Sequence, residues 1–378
     1  MAVLTEEQIL LKDQAQAWIR EEANVTHFRA MRDASPEGGF DAETWRKMVD
    51  LGWTGIIVPE DFGGSGMDLQ TFGVVLEELG RGLTASPLLA SSLVGASAVM
   101  LAGSDAQQRE WLPKIANGQA IVTLAVDEGP HHHPAGVALA ADESGDGHVL
   151  NGTKTFVIEG GIADAFVVAA RTAGNAGDET GISLFLVPGD AQGLSRRPLA
   201  MADCRGYADL TFENVQLGAD ALMGTAHEGF ATLDAVLDRA RAGLSAEMLG
   251  TAAESFDRTL DYLKNREQFG QVIGSFQALG HRAATHFMNM ELARSCVEGA
   301  LAAIDDEADN VRAMVSLAKC QVGDFLHDMS NDMIQMHGGI GMTDEFDAGF
   351  FLKRARTTET AFGNQGFHRS RYVAEFGI

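Results

Sequence analysis

Asn265-Arg-Glu-Gln-Phe-Gly-Gln-Val-Ile-Gly-Ser-Phe-Gln277 is the stretch from which the fold of this chain is best read. An apolar helical stripe ends just before it, Gly270 and Gly274 make a turn, and Ser275 is placed to cap a new helix. Arg266 offers a planar fork for a phosphate or carboxylate. Phe269 has a face that can lie on a flat ring, and Gln277 can read a purine edge. The same residue types also make an ordinary connecting loop with a surface arginine. A second stretch, Gln335-Met-His-Gly-Gly-Ile-Gly-Met342, ends a long helix on Gly338, Gly339 and Gly341. Glycines there can bring backbone N–H groups against phosphates, or simply stop the helix.

On both sides of the first stretch the chain is helical. Phe230, Leu233, Leu237, Leu244, Leu249, Phe256, Leu260 and Leu263 mark one apolar stripe at the spacing of an amphipathic helix. Further helices are predicted over 276–304, 309–337 and 346–361, and long helices with short links pack as an antiparallel bundle. Upstream, between Ala120 and Leu217, the pattern changes. Short β-like runs (Ile121–Val126, Thr155–Ile158, Phe166–Ala170, Ile182–Val187) are separated by Gly-, Asp- and Asn-rich turns. No helical period intervenes, which argues against a doubly wound nucleotide-binding sheet. The opening of the chain is helical again, with an N-cap at Asp41 and a capping-box start at Ser104. The chain therefore reads as an α+β protein in three parts. An N-terminal α-helical domain covers 1–118, a central antiparallel β-barrel or sheet domain 119–226, and a C-terminal four-helix bundle 227–378.

The 378 residues carry a formal net charge of −25. So acidic a surface repels nucleic acid and anionic membranes, although local cations and helix N-termini can still bind phosphate. Cys204, Cys296 and Cys320 form no Cys-x-x-Cys pair and no closed disulfide framework, which fits a reducing compartment. The uncharged run Gly82–Ser104 is broken by Pro87, Gly95, Gly103 and several hydroxyl residues, too polar for a membrane span. No signal pattern opens the chain. These features predict a cytoplasmic protein with neither nucleic acid nor membrane as partner. His131, His132 and His133 are adjacent, so their side chains diverge, and no metal site is expected.

Taken together, the two glycine-bearing stretches resemble the R-x-x-F-G…I-x-x-F-Q and Q-x-x-G-G-x-G motifs of acyl-CoA dehydrogenases, at that family's separation. The α–β–α order is similar over nearly the whole chain. The resemblance implies FAD as cofactor, an acyl-CoA substrate and an electron-transfer flavoprotein as acceptor. It also implies that Arg266 and Phe269 lie on the FAD pyrophosphate and its surroundings, with Gln277, Gln335, Gly338 and Gly339 around the adenosine half. In the family these residues reach the FAD of a neighbouring subunit, so a homo-oligomer (dimer or tetramer) or a heteromeric partner subunit is implied. Asn151-Gly-Thr-Lys-Thr-Phe-Val-Ile-Glu-Gly160 resembles the family's N-G-x-K-x-W-I-T-N-G strand. There Phe156 replaces the Trp that packs on the flavin, and Ile158 replaces the Thr that hydrogen-bonds it. Leu124–Pro134 stands where the family has T/S-E-P-x-x-G-S-D, and lacks the G-S-D part.

The family's reaction removes an α-proton with a carboxylate while the flavin accepts a β-hydride. Most relatives carry that Glu in an E-G-T segment, and the position here is Phe362, followed by Gly363-Asn-Gln. A minority carry it on the first bundle helix in L-x-x-E-R, where this chain reads Leu237-Asp-Arg-Ala-Arg241 and so has Ala240. Neither residue is a base. Glu247, seven residues past Ala240, points within about 20° of the same helix face and is the candidate base. The alternative is an acid paired with a neighbouring helix. Arg241 and Asp238 match family positions near the active site and are candidate substrate contacts; for Arg241 an ion pair within the bundle is the alternative.

The reading is FAD-dependent α,β-dehydrogenation of an acyl-CoA thioester. One alternative is a FAD-site-completing, non-catalytic subunit of a heteromeric dehydrogenase. Another is an oxygen-reacting flavin oxidase or monooxygenase of the same fold. The departures resemble short, divergent bacterial members of the family, some of which form mixed α2β2 assemblies acting on bulky, sterol-derived acyl-CoAs.

Overall fold

A computed structural model describes residues 4–377. The chain opens with α1 (Glu6–Glu22), α2 (Val25–Ala34), α3 (Ala42–Asp50) and α4 (Leu69–Gly82). A π-helical stretch at Leu88–Gly95 runs into α5 (Ala96–Ala102), and α6 (Asp105–Ala116) follows. Next come β1 (Val122–Ala125), β2 (Ala140–Ser144), β3 (Gly147–Ile158), β4 (Ala165–Arg171), β5 (Ile182–Pro188), β6 (Leu194–Pro198), β7 (Tyr207–Leu217) and β8 (Leu222–Met223). After them lie α7 (Phe230–Asn265), the small ribbon of β9 (Glu267–Gln268) and β10 (Gln271–Val272), and then α8 (Gln277–Asp305), α9 (Val311–His337), α10 (Ala348–Thr360) and α11 (Gln365–Glu375). The α, then β, then α order is thus the one the periodicities predict. Among the described residues no helix is long and apolar enough to cross a membrane.

Local signals set several of the ends. Asp41 accepts from Thr44 N at 2.7 Å, and Ser104 forms the expected capping box with Gln107. Ser275 does not cap α8. Its hydroxyl donates back to Val272 O at 2.6 Å, and Phe276 holds the cap position without a side-chain bond. Helix α11 escapes the sequence reading because its apolar stripe is short. Its start is set by Asn364, whose side chain accepts from Phe367 N.

Packing groups the chain into two compact units. The first comprises the described residues up to Ala30, Leu69–Thr84, and everything from Arg241 onward. Within it α4 and α7 lie backbone to backbone. A Cβ on Gly80 would stand 2.0 Å from Glu247 O, and one on Gly250 would stand 1.7 Å from Glu77 O. Gly250→Ala must therefore force the two helices apart. It is expected to cost about 1–3 kcal/mol, seen as a lower urea midpoint of the helical signal.

The second unit comprises Met31–Asp68 and Ala85–Ala240. Its sheet runs in the order β6-β7-β3-β2-β4-β5-β8. Pairing is antiparallel except that β1 and β2 each run parallel to β4. Leu150, Phe166, Val168, Phe185, Leu210 and Phe212 fill its core. Strand β4 and nearly all of β5 are buried, which is why they read as continuous apolar runs rather than as alternations. The helices of residues 1–118 are shared between the two units, because packing rather than chain order defines them.

Candidate active site

In the sheet unit, strand β3 carries Phe156 and Ile158. Its register against β7 slips between Lys154↔Leu210 and Val157↔Ala208, so Thr155 and Phe156 together face Asp209. The extra residue is a β-bulge, and it turns Phe156 outward. Phe156 sits at φ +52° and is 48% exposed. Ile158 has no hydroxyl to offer, and its carbonyl accepts from Thr123 Oγ1 at 2.8 Å.

On the same strand Lys154 is buried, donating to Glu128 at 2.6 Å and to Val126 O at 2.9 Å. Burial pushes its pKa down, and Glu128 opposes that shift. Glu128 also accepts from the backbone of Ala138 and Leu139, which shapes the loop after β1. Within the same loop His132 Nδ1 bonds both carboxylate oxygens of Asp127, at 2.9 and 3.0 Å.

In the helical unit the two glycine-bearing stretches lie at the ends of α7 and α9. Arg266, Gln277, Gln335, Gly338 and Gly339 are all exposed. Phe269, at the tip of the β9–β10 ribbon, is 91% exposed at φ +55°. A Cβ on Gly338 or Gly339 would meet nothing within 4 Å, so the backbone there lies open to an approaching ligand. A residue the sequence reading passed over joins the two stretches. Tyr262, near the end of α7, stacks on His337 with ring centroids 4.2 Å apart and donates to His337 O at 3.4 Å. His337 Nδ1 donates to Met333 O at 2.7 Å, and burial lowers the pKa of its imidazole. The turn therefore rests on a buried histidine packed among aromatic rings. This exposed set suits the pyrophosphate and adenosine of FAD: a cation, an aromatic face and open glycine backbone.

Phe362, where the sequence resemblance leads one to expect the family's usual base, lies in a turn. Phe362 has φ +56° and Gly363 φ +105°. Three side chains donate into its carbonyls. Lys319 Nζ reaches Thr358 O at 2.9 Å and both Glu359 O and Gly363 O at 3.2 Å. Arg241 Nε and His368 Nε2 each reach Phe362 O at 3.2 Å. Lys319 is fully enclosed, and burial pushes its ammonium down to about 7.

Arg241, expected as a substrate contact, is buried with its Nε directed at this turn and its guanidinium 5.4 Å from the ring centroid of Phe367. Asp238 and Ala240 are buried as well. Glu247 does not stand open as a base would. Arg354 of α10 donates to its Oε1 from Nη2 at 2.7 Å and from Nε at 3.2 Å. The two side chains are only 5% and 7% exposed. The helical phase does put Glu247 on a buried face, but α10 meets it there with a cation. That is the geometry of the paired-acid alternative.

Comparison with known proteins accounts for this arrangement. The N-terminal, middle and C-terminal domain models of acyl-CoA dehydrogenases match residues 5–119, 128–215 and 227–376 in turn. The chain belongs to the acyl-CoA dehydrogenase family. It is 31% identical over 372 residues to the probable acyl-CoA dehydrogenase YngJ of Bacillus subtilis, covering 97% of each chain. Among solved structures it is similar to a chain of the ChsE4–ChsE5 complex from Mycobacterium tuberculosis. That match has a TM-score of 0.90 and 27% identity, covering 99% of this chain and 98% of the other. Butyryl-CoA dehydrogenase from Megasphaera elsdenii shares the fold at a TM-score of 0.91 and 23% identity over the whole of both chains.

In this acyl-CoA dehydrogenase family member three phenylalanines, Phe156, Phe269 and Phe362, adopt left-handed backbone conformations. For a bulky residue each costs on the order of 1–3 kcal/mol. All three are residues for which the sequence resemblance sets an expectation of contact with flavin or of the base position.

Proposed function

We propose that this chain is the FAD-site-completing, non-catalytic subunit of a heteromeric acyl-CoA dehydrogenase. The Glu247–Arg354 ion pair carries the proposal. With Phe362 and Ala240 at the family's two base positions, Glu247, the candidate acid taken from the sequence, is committed to a cation inside the bundle. Arg266, Phe269, Gln277, Gln335, Gly338 and Gly339 support the other half of the proposal, since they are exposed and match the motif that reaches a neighbour's FAD. Helix α8 also exposes an apolar stripe of Phe287, Met288 and Leu292, each about half accessible, a surface suited to another protein chain. That one similar structure is a complex of ChsE4 with ChsE5 fits the same reading.

In this proposal Arg266 and Phe269 hold the pyrophosphate side of a neighbouring subunit's FAD, and Gln277, Gln335 and the Gly338–Gly339 turn its adenosine half. Phe156, in the sheet unit, packs on a flavin ring. FAD, when bound, supplies the hydride acceptor. The sister subunit supplies the carboxylate, and an electron-transfer flavoprotein receives the electrons from the cytoplasmic complex.

The test is to purify the chain alone, add FAD, and titrate with a panel of acyl-CoAs in the absence of oxygen. The flavin absorbance is expected not to bleach. Bleaching is expected once a sister subunit is present that carries Glu at the position of Phe362 or Ala240. In that complex, Glu247→Gln in this chain, checked for retained fold by circular dichroism, leaves the bleaching unchanged. Bleaching by the chain alone, abolished by Glu247→Gln while acyl-CoA binding persists, would overturn the proposal in favour of an active dehydrogenase.

A further inference from the structure

Burial along β3 is out of phase with a regular strand. Lys154 and Val157 are both buried although they stand three residues apart, whereas a strand buries every second residue. The bulge at Thr155–Phe156 supplies the extra residue and so decides that Phe156 faces outward. A bulge also takes a backbone N–H out of the ladder, and that N–H needs another acceptor.

Asp209 of β7 provides it. Its Oδ1 accepts from Thr155 Oγ1 at 2.5 Å and from Phe156 N at 3.3 Å. Its Oδ2 is held by Arg197, which faces it directly across the β6–β7 pairing. One carboxylate thus gathers donors from both sides of the strand. On its far side Thr155 N donates to Asp127 O at 2.8 Å, so the strand is fixed at that point in two directions. Phe156 has no polar side-chain group of its own to favour φ +52°, so its conformation depends on these neighbours.

We propose that Asp209 is a positioning residue that holds Phe156 in its left-handed conformation and so sets the angle at which its ring meets the flavin. The second clause rests on the reading that Phe156 packs on the flavin. The first stands without it. Arg197 is secondary. Its side chain is 76% exposed, and an ion pair that open contributes little. The feature that matters is the Oδ1 acceptor, which asparagine retains and alanine removes.

The test is the crystal structure of the full chain carrying Asp209→Ala or Asp209→Asn, paired with FAD titration of the assembly that binds the cofactor. In Asp209→Ala, Phe156 is expected to relax to negative φ; in Asp209→Asn it is expected to stay left-handed. FAD affinity is expected to fall roughly tenfold in Asp209→Ala and in Phe156→Ala alike, and by less than about twofold in Asp209→Asn. A Phe156 that stays left-handed in Asp209→Ala overturns the proposal, whatever happens to FAD. Unchanged FAD affinity in Phe156→Ala would instead remove the flavin reading of Phe156, leaving the positioning role to be judged by the crystal structures. Amide exchange of the unmodified chain gives an independent check. The Phe156 N–H is expected to be protected, and exchange at the unprotected rate also overturns the proposal.

Discussion

Arg354→Met is expected to lower the unfolding free energy of the helical unit by about 3–5 kcal/mol, the range for removing one partner of a buried ion pair. The methionine fits the space, so the loss is mainly electrostatic. The Glu247 carboxylate would be left enclosed, without the two N–H donors that now reach its Oε1. Glu247→Leu should cost a similar amount by removing the carboxylate that the arginine now pairs with. The double replacement should recover most of the loss, because two apolar side chains of similar size need neither charge nor partner. Urea unfolding at fixed pH, followed by helical circular dichroism, gives all four corners of this cycle. If each single change cost less than about 1 kcal/mol, the pair would not be holding α7 to α10. Glu247 would then be free to serve as a base, and the proposed role of the chain would have to be revised.

Lys319→Met is expected to remove a pH dependence as well as a set of hydrogen bonds. Folded Lys319 releases its proton near pH 7, against an ordinary value of 10.5, because burial penalises the ammonium. Between those two values the unfolded chain holds more protons than the folded one. The contribution of this group to stability therefore rises with pH across the window, by up to about 1.4 kcal/mol per pH unit. Below pH 7 both states are protonated, and the contribution stays flat at its least favourable.

The local effect runs the other way. A neutral amine has two N–H donors for three carbonyls, so the turn at Phe362 loosens as global stability rises. Amide exchange over 359–364, corrected for its intrinsic pH dependence, should accelerate from pH 7 to 9 in the unmodified chain. It should be fast throughout in Lys319→Met, whose urea midpoint should also vary less over that range. Identical pH profiles for the two proteins would refute the assignment.

Much of this molecule is legible from residue order because much of its physics is local. Periods of 3.6 and 2 are properties of single elements, and they give the α–β–α order. Caps at Asp41 and Ser104 involve neighbours three residues away. The Arg266–Gln277 and Gln335–Gly341 stretches carry their chemistry within a few residues, so the family resemblance could be drawn from them directly. The absence of a carboxylate at Phe362 and at Ala240 was equally plain.

What packing added was the identity of partners. Glu247 reads as a candidate base from the chain alone, and it is Arg354, 107 residues on and bonded to it, that supports the structural role proposed for it. Arg241, a candidate substrate contact from the chain alone, has its Nε on the Phe362 carbonyl. Lys319 looks like any helical lysine until three carbonyls, from the end of α10 and the turn after it, surround it. The bulge that aims Phe156 depends on a carboxylate 53 residues away. A residue's pattern in the chain tells which face of its own element it occupies. Which charge or acceptor waits on the opposing face depends on how separate elements pack, and for a buried carboxylate that partner decides between chemistry and structure.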